Sequence, residues 1–168
     1  SLAGTRSAQK GYTKNGTITF FSKSPMENIS AINKQVMSVL NTESGELQFS
    51  LLVKGFHFEK ALMEEHFNEN YMESDKFPKS TFKGMVSNVS SVDFKKDGEY
   101  AVSVSGDLTI HGVTHKVSVP GTLRVKNGTV TAVSTFKVKL ADYNIAVPKV
   151  VKDNIAEQIE ISVSCLFD

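Results

Sequence analysis

Two histidines stand four residues apart in the stretch GDLTIHGVTHKV, residues 106–117. On a helix that spacing sets two imidazoles on one face, where they can share a metal ion. The geometry changes if Gly112 and Val113 form a two-residue hairpin loop, with glycine at the first central position of a type II′ turn. Parity then decides direction: His111 falls with Thr109, Asp107 and Ser105 on a polar face, and His115 with Val117 and Val119 on an apolar one. The pair diverges, and no third ligand with suitable spacing joins it, so no metal is assigned. Other reactive side chains are placed no better for chemistry. Cys165 alternates onto the apolar face of a strand, where a thiol packs rather than attacks. Glu64, Glu65 and His66 are consecutive on a helix and fan around it. No G-x-S-x-G elbow and no phosphate-loop spacing of glycines occurs. The sequence is therefore read as non-enzymatic, with no catalytic residue and no cofactor.

Charge and composition narrow the partners. Nineteen basic and eighteen acidic residues, net +1, are spread along the chain, which leaves no electrostatic footprint for nucleic acid. Nowhere do eighteen apolar residues run together, so no transmembrane segment is expected. The single cysteine excludes an internal disulfide. At 168 residues and 40% hydrophobic, the chain suits one domain, placed at residues 12–168 behind a polar, disordered lead over residues 1–11. Whether it is a monomer or a homodimer is left open.

From Ser80 onward, period-two alternation dominates and predicts strands with one apolar and one polar face. Asn127-Gly128 is a strong type I′ hairpin signal; it pairs Lys126 with Thr129, Leu123 with Ala132, Gly121 with Ser134 and Val119 with Phe136. The Gly112-Val113 turn would set Leu108 opposite Val117 and Val104 opposite Gly121. A third hairpin, turning at residues 96–98, would set Val86 opposite Leu108. Upstream, residues 17–22, 29–41 and 46–53 carry further strand pattern. Residues 156–167 form a last half-buried strand. Met63, Phe67 and Tyr71 at i, i+4 and i+8 predict one amphipathic helix over residues 59–71. Residues 141–154 are too apolar for a free loop and are expected to pack over one end of the sheet. Pro120 lies inside a predicted strand and marks a bulge or interruption.

About eight antiparallel strands sharing one continuous apolar face hide that face and their edges best by closing into a barrel. The registers send Val104, Gly106, Leu108, Ile110, His115, Val117, Val119, Gly121, Ser134, Phe136 and Val138 into its lumen. Small residues fall at matching heights, which favours room inside. The same glycines would also relieve strain where strands coil, with aromatics filling the gap. Cavity and filled core both fit the pattern. His115 has two readings, first a satisfied interior histidine near the barrel end and second a polar contact for a ligand head group.

With these registers drawn, residues 106–117 resemble the signature of the YceI-like family, approximately G-x-L-T-x-x-G-V-T followed by a basic residue. Residues 65–84, EHFNENYMESDKFPKSTFKG, and residues 136–148, FKVKLADYNIAVP, are similar to two further blocks in the family's order. Where the family often carries Asp with His in its helix and a basic-Pro pair after G-V-T, this chain has Glu65-His66 and His115-Lys116. The resemblance runs from about Tyr12 to Phe167. It implies an all-β, lipocalin-like antiparallel barrel of the bacterial envelope, periplasmic or secreted after removal of a signal peptide. It also implies non-enzymatic binding, transport or storage of a long polyisoprenoid or quinone-type lipid in the lumen. The alternative is an envelope structural or interaction protein with a filled barrel and no small ligand.

Overall fold

The computed structural model describes residues 10–168. The expected disordered lead over 1–11 falls mostly outside the described residues, and its last two positions already belong to the first strand. In chain order the strands are β1 (Lys10–Lys23), β2 (Asn28–Asn41), β3 (Glu46–Leu52), the two-residue β4 (His57–Phe58), β5 (Lys79–Val86), β6 (Gly98–Ile110), β7 (Val113–Lys126), β8 (Thr129–Lys139) and β9 (Gln158–Phe167). Neighbours run β1-β9-β8-β7-β6-β5-β3-β2, and β2 pairs back onto β1. Eight antiparallel strands thus close a ring, as the alternation predicts, while β4 adds only a short pairing to β2. Closure removes the free edges that an open meander would leave.

The Asn127-Gly128 hairpin forms as expected, with Lys126 opposite Thr129 and Leu123 opposite Ala132. Both turn residues have positive φ, 51° and 81°. The neighbouring hairpin turns elsewhere. Its loop is His111-Gly112, with φ of 54° and 71°, so Leu108 lies opposite His115 and Val104 opposite Val119. The expected register is wrong by two residues, yet a slip of two leaves every side chain on its face. The third hairpin is replaced by a longer connection: Val86 lies opposite Val104, not Leu108, and a 3-10 turn at Val89–Ser91 intervenes. Asn88 holds that connection against β6, accepting from Ser103 N–H at 3.0 Å and donating to the Ala101 carbonyl at 3.2 Å.

The predicted helix is shorter and wider than the periodicity suggests. An α-helix, α1 (Ala61–His66), opens into a π turn over Phe67–Tyr71. Asn68 caps the change of pitch by donating to the Glu64 carbonyl at 3.1 Å. The connection after β8 packs partly as expected: Tyr143 and Ile145 are buried, whereas Val150 is exposed. At the end of the barrel nearest the Asn127-Gly128 turn, Leu40, Leu123, Val125, Val130, Cys165 and Phe167 are all buried. That end is closed by buried, mostly apolar side chains.

Candidate functional site

Inside the ring is a cavity of 220 Å³, lined by side chains from every strand of the barrel. It exceeds the roughly 150 Å³ apolar cavity that stays dry and admits benzene in an engineered protein. Of the predicted lumen residues, Val104, Leu108, Ile110, Val117, Val119, Gly121, Ser134, Phe136 and Val138 line it. Two do not. Gly106 lies opposite Gly84, and the strands approach so closely that an added Cβ would strike the Lys83 carbonyl and Gly84 Cα. The Phe82 ring reaches over the same point, so this glycine serves strand coiling. Gly121 is looser but still close-packed: an added Cβ would lie 3.3 Å from the Val133 carbonyl and 3.5 Å from the Val102 side chain, and the residue lines the cavity.

His115 is the second departure. It is exposed, although the true turn sets it one pair farther from the turn than expected, opposite Leu108; contacts to the connection after β8 draw it out of the lumen. Its Nε2–H donates to the Asp142 carbonyl, and its ring meets the Tyr143 ring edge-on, centroids 5.1 Å apart. His111, expected on the polar outer face, is instead 9% exposed within the turn. Its Nδ1 lies 2.9 Å from the Tyr143 carbonyl and its Nε2 2.8 Å from Glu73 Oε1. Two connections that cover this end of the barrel, the loop after the π turn and the segment after β8, are thereby fastened to one hairpin corner. Glu73, His111 and Asn144 all have positive φ, 49°, 54° and 54°. Three residues in this unfavourable region, drawn together at one rim, are held by the bonds around them. Burial first, then the adjacent Asp142 carboxylate, pushes the Tyr143 phenol up, so it stays neutral.

Sequence periodicity missed the aromatic part of the lumen. Phe20, Phe56, Phe58 and Phe67 come from β1, the β3–β4 connection, β4 and the π turn, and their ring centroids lie 4.9 to 5.8 Å apart. The available signal was composition: eleven Phe against four Tyr and no Trp indicates aromatic filling with no polar handle.

The wall itself is not continuous. β7 pairs with β8 only from Thr122–Val133 to Lys126–Thr129, although β7 stays paired with β6 as far as Val113 and β8 with β9 as far as Lys139. The ladder stops at Pro120. The Ser134 hydroxyl donates to the Pro120 carbonyl at 2.6 Å, which fixes that carbonyl on the β8 side. In a strand the N–H and C=O of one residue point the same way, so the donor that proline lacks is the one β8 would need. Above it a window separates the start of β7 from the end of β8. The rim contacts of His111 and His115 bound it at the top. Val117, Val119, Phe136 and Val138 are half-buried at the window and reach the lumen.

The family profile of the YceI-like domain matches residues 5–167. No curated protein sequence matches the chain. Among solved structures, a polyisoprenoid binding domain from Saccharophagus degradans, implicated in plant cell wall breakdown, is similar at 12% identity with a TM-score of 0.80, covering 95% of this chain and 98% of that one. Burkholderia cenocepacia BcnA is similar at 17% identity and TM-score 0.74, covering 91% and 96%. A Campylobacter jejuni YCEI protein is similar at 16% identity and TM-score 0.64, covering 87% and 88%. At these identities the similarity is one of fold.

Proposed function

The chain belongs to the YceI-like domain family, and from that premise and the lumen's chemistry we propose that it binds a long apolar lipid of polyisoprenoid or quinone type without altering it. The observation that carries this reading is the cavity, whose wall is hydrocarbon from aliphatic and phenylalanine side chains on all eight barrel strands. Among its hydroxyls, Ser22 accepts from Ala156 N–H and Ser134 donates to Pro120, and hydrocarbon makes up nearly all of the surface turned to the cavity. Such a wall discriminates by length and apolarity. Each buried CH₂ contributes about 0.8 kcal/mol, so ten of them supply a gross 8 kcal/mol or so before the costs of ordering the chain.

Nothing converges in the lumen to activate a nucleophile or move a proton, so the role is carriage or storage. The polyisoprenoid binding named for the similar Saccharophagus domain supports the choice of ligand, and the family's setting supports a bacterial periplasmic or secreted location. A filled structural barrel is disfavoured by the 220 Å³ cavity itself. Organic extraction of purified protein followed by mass spectrometry is expected to release one lipid per chain. Filling the lumen with Gly121→Phe or Val138→Phe is expected to abolish that yield while the folded circular-dichroism spectrum persists. An empty extract, with no uptake of an offered polyprenol, would rule the reading out.

A further inference from the structure

The lumen offers a hydrocarbon tail everything and a polar head nothing. A head group placed inside would lose its hydration with no hydrogen-bonding replacement, a cost of several kcal/mol. Both ends of the barrel are covered, one by the packed residues around Leu123 and Cys165, the other by Phe67, Met72, Tyr143 and Ile145, all buried. The wall is unladdered on two seams: between β2 and β3 below Met37, where β4 and the helix lie alongside, and between β7 and β8 above Pro120, where no element intervenes. The edges of this second seam, the window, carry what the lumen lacks. Because Pro120 faces β8 and parity repeats every two residues, the backbone groups of Ser118 and Lys116 face the same gap. On the other side, the register that pairs Thr122 with Val133 leaves Thr135 and Lys137 facing it. No ladder bond joins these two edges. Their outward side chains, Lys116 and Ser118 against Thr135 and Lys137, are exposed.

We propose that this window is the head-group site of the bound lipid. The tail lies in the lumen and the polar terminus emerges through the wall between β7 and β8, hydrogen-bonded to the unpaired backbone of Ser118 and Thr135. The ligand class is therefore a single-chain amphiphile with its polar group at one terminus. A hydrocarbon without a head leaves the edge groups unused, and a lipid polar at both ends would bury one polar group in the lumen. The inference rests on the lumen being a lipid site and adds where, and by which end, the lipid is held.

The test is paramagnetic broadening in the NMR spectrum of the full chain, using two octadecanoyl probes, one with a nitroxide at the head and one with it near the tail terminus. The head label is expected to broaden the amides of Lys116, Ser118, Thr135 and Lys137, and the tail label to leave them sharp. Broadening by the head label around Leu123 and Val130, or around Phe67 and Ile145, would overturn the window while leaving lipid binding intact. No broadening by either label, with no lipid on extraction, would remove both readings together. Pro120→Val gives an independent arm. Restoring the missing donor lets β8 pair further along β7, and lipid uptake is expected to slow at least about tenfold. Unchanged uptake in a variant whose amides at Ser118 and Thr135 had become protected from exchange would also overturn it.

Discussion

The two halves of the β7–β8 pair share alternation, residue types and neighbours, yet one half is laddered and the other is open. From Thr122 to Lys126, β7 is zipped to β8 around a type I′ turn, and its inward side chains are buried. From Val113 to Pro120 the same strand keeps only its β6 partner, and its inward valines are half-buried. Hydrophobic patterning does not separate these halves. The difference is a single missing N–H directed at β8, with the Ser134 hydroxyl standing in as donor to the stranded carbonyl. Patterning sets which way side chains face; the local supply of backbone donors sets where strands stay joined.

That contrast has measurable consequences. The largest is expected in the core: Leu123→Ala, in the zipped half, removes a side chain only 2% exposed and should cost about 2–5 kcal/mol in denaturant unfolding. Val138→Ala, in the open half, should cost about 1 kcal/mol because its surroundings are half-solvated already. Equal costs would erase the distinction.

The two turns that end these halves should differ next. At Gly112 an added methyl meets both a φ of 71° and the Phe77 ring at 2.5 Å, whereas at Gly128 there is a φ of 81° and no atom within 4 Å. Gly128→Ala therefore isolates the left-handed backbone cost of about 1–2 kcal/mol, and Gly112→Ala should exceed it. His111→Asn sharpens the same point. Asparagine tolerates the left-handed region, so what it loses is the pair of rim bonds, one of them to a carboxylate, of order 2 kcal/mol.

The last contrast, a rate and not a stability, concerns Cys165, packed at the sealed end. Burial, partly offset by a hydrogen bond from the Thr17 backbone, pushes its thiol up to about 11 from 9.0. The protonated thiol is thus the form the fold favours, so its contribution is complete below pH 9 and is lost as pH rises through about 11. Alkylation followed by mass spectrometry at pH 8 should be roughly a hundredfold slower in the folded than in the unfolded chain. Fast labelling would show that the sealed end opens as readily as the window.

Much of the fold was legible because strand parity survives errors in pairing. The His111-Gly112 turn lies one position before the predicted one and shifts the register by two, yet nine of the eleven predicted lumen residues still reach the cavity. The two that fail do so for reasons invisible to alternation. Gly106 depends on Gly84 being directly across, and His115 on partners from the distant connection after β8, the Asp142 carbonyl and the Tyr143 ring. His111 was misplaced because its partners, Glu73 and Tyr143, come from connections far away in sequence. The phenylalanine cluster was missed for the same reason, being assembled from three separate stretches of chain around Phe20, Phe56–Phe58 and Phe67.

Ring closure also carries a kinetic consequence. β1 pairs with β9 through contacts such as Thr17 with Ser164, which lie almost a full chain length apart. Hairpins such as Lys126–Thr129 can form within a few residues, but this last seam must wait for loop-closure entropy that local contacts do not offset. Folding is therefore expected to end with the docking of the C-terminal strand against β1. A chain emerging from synthesis would hold an open, edge-exposed sheet until β9 arrived.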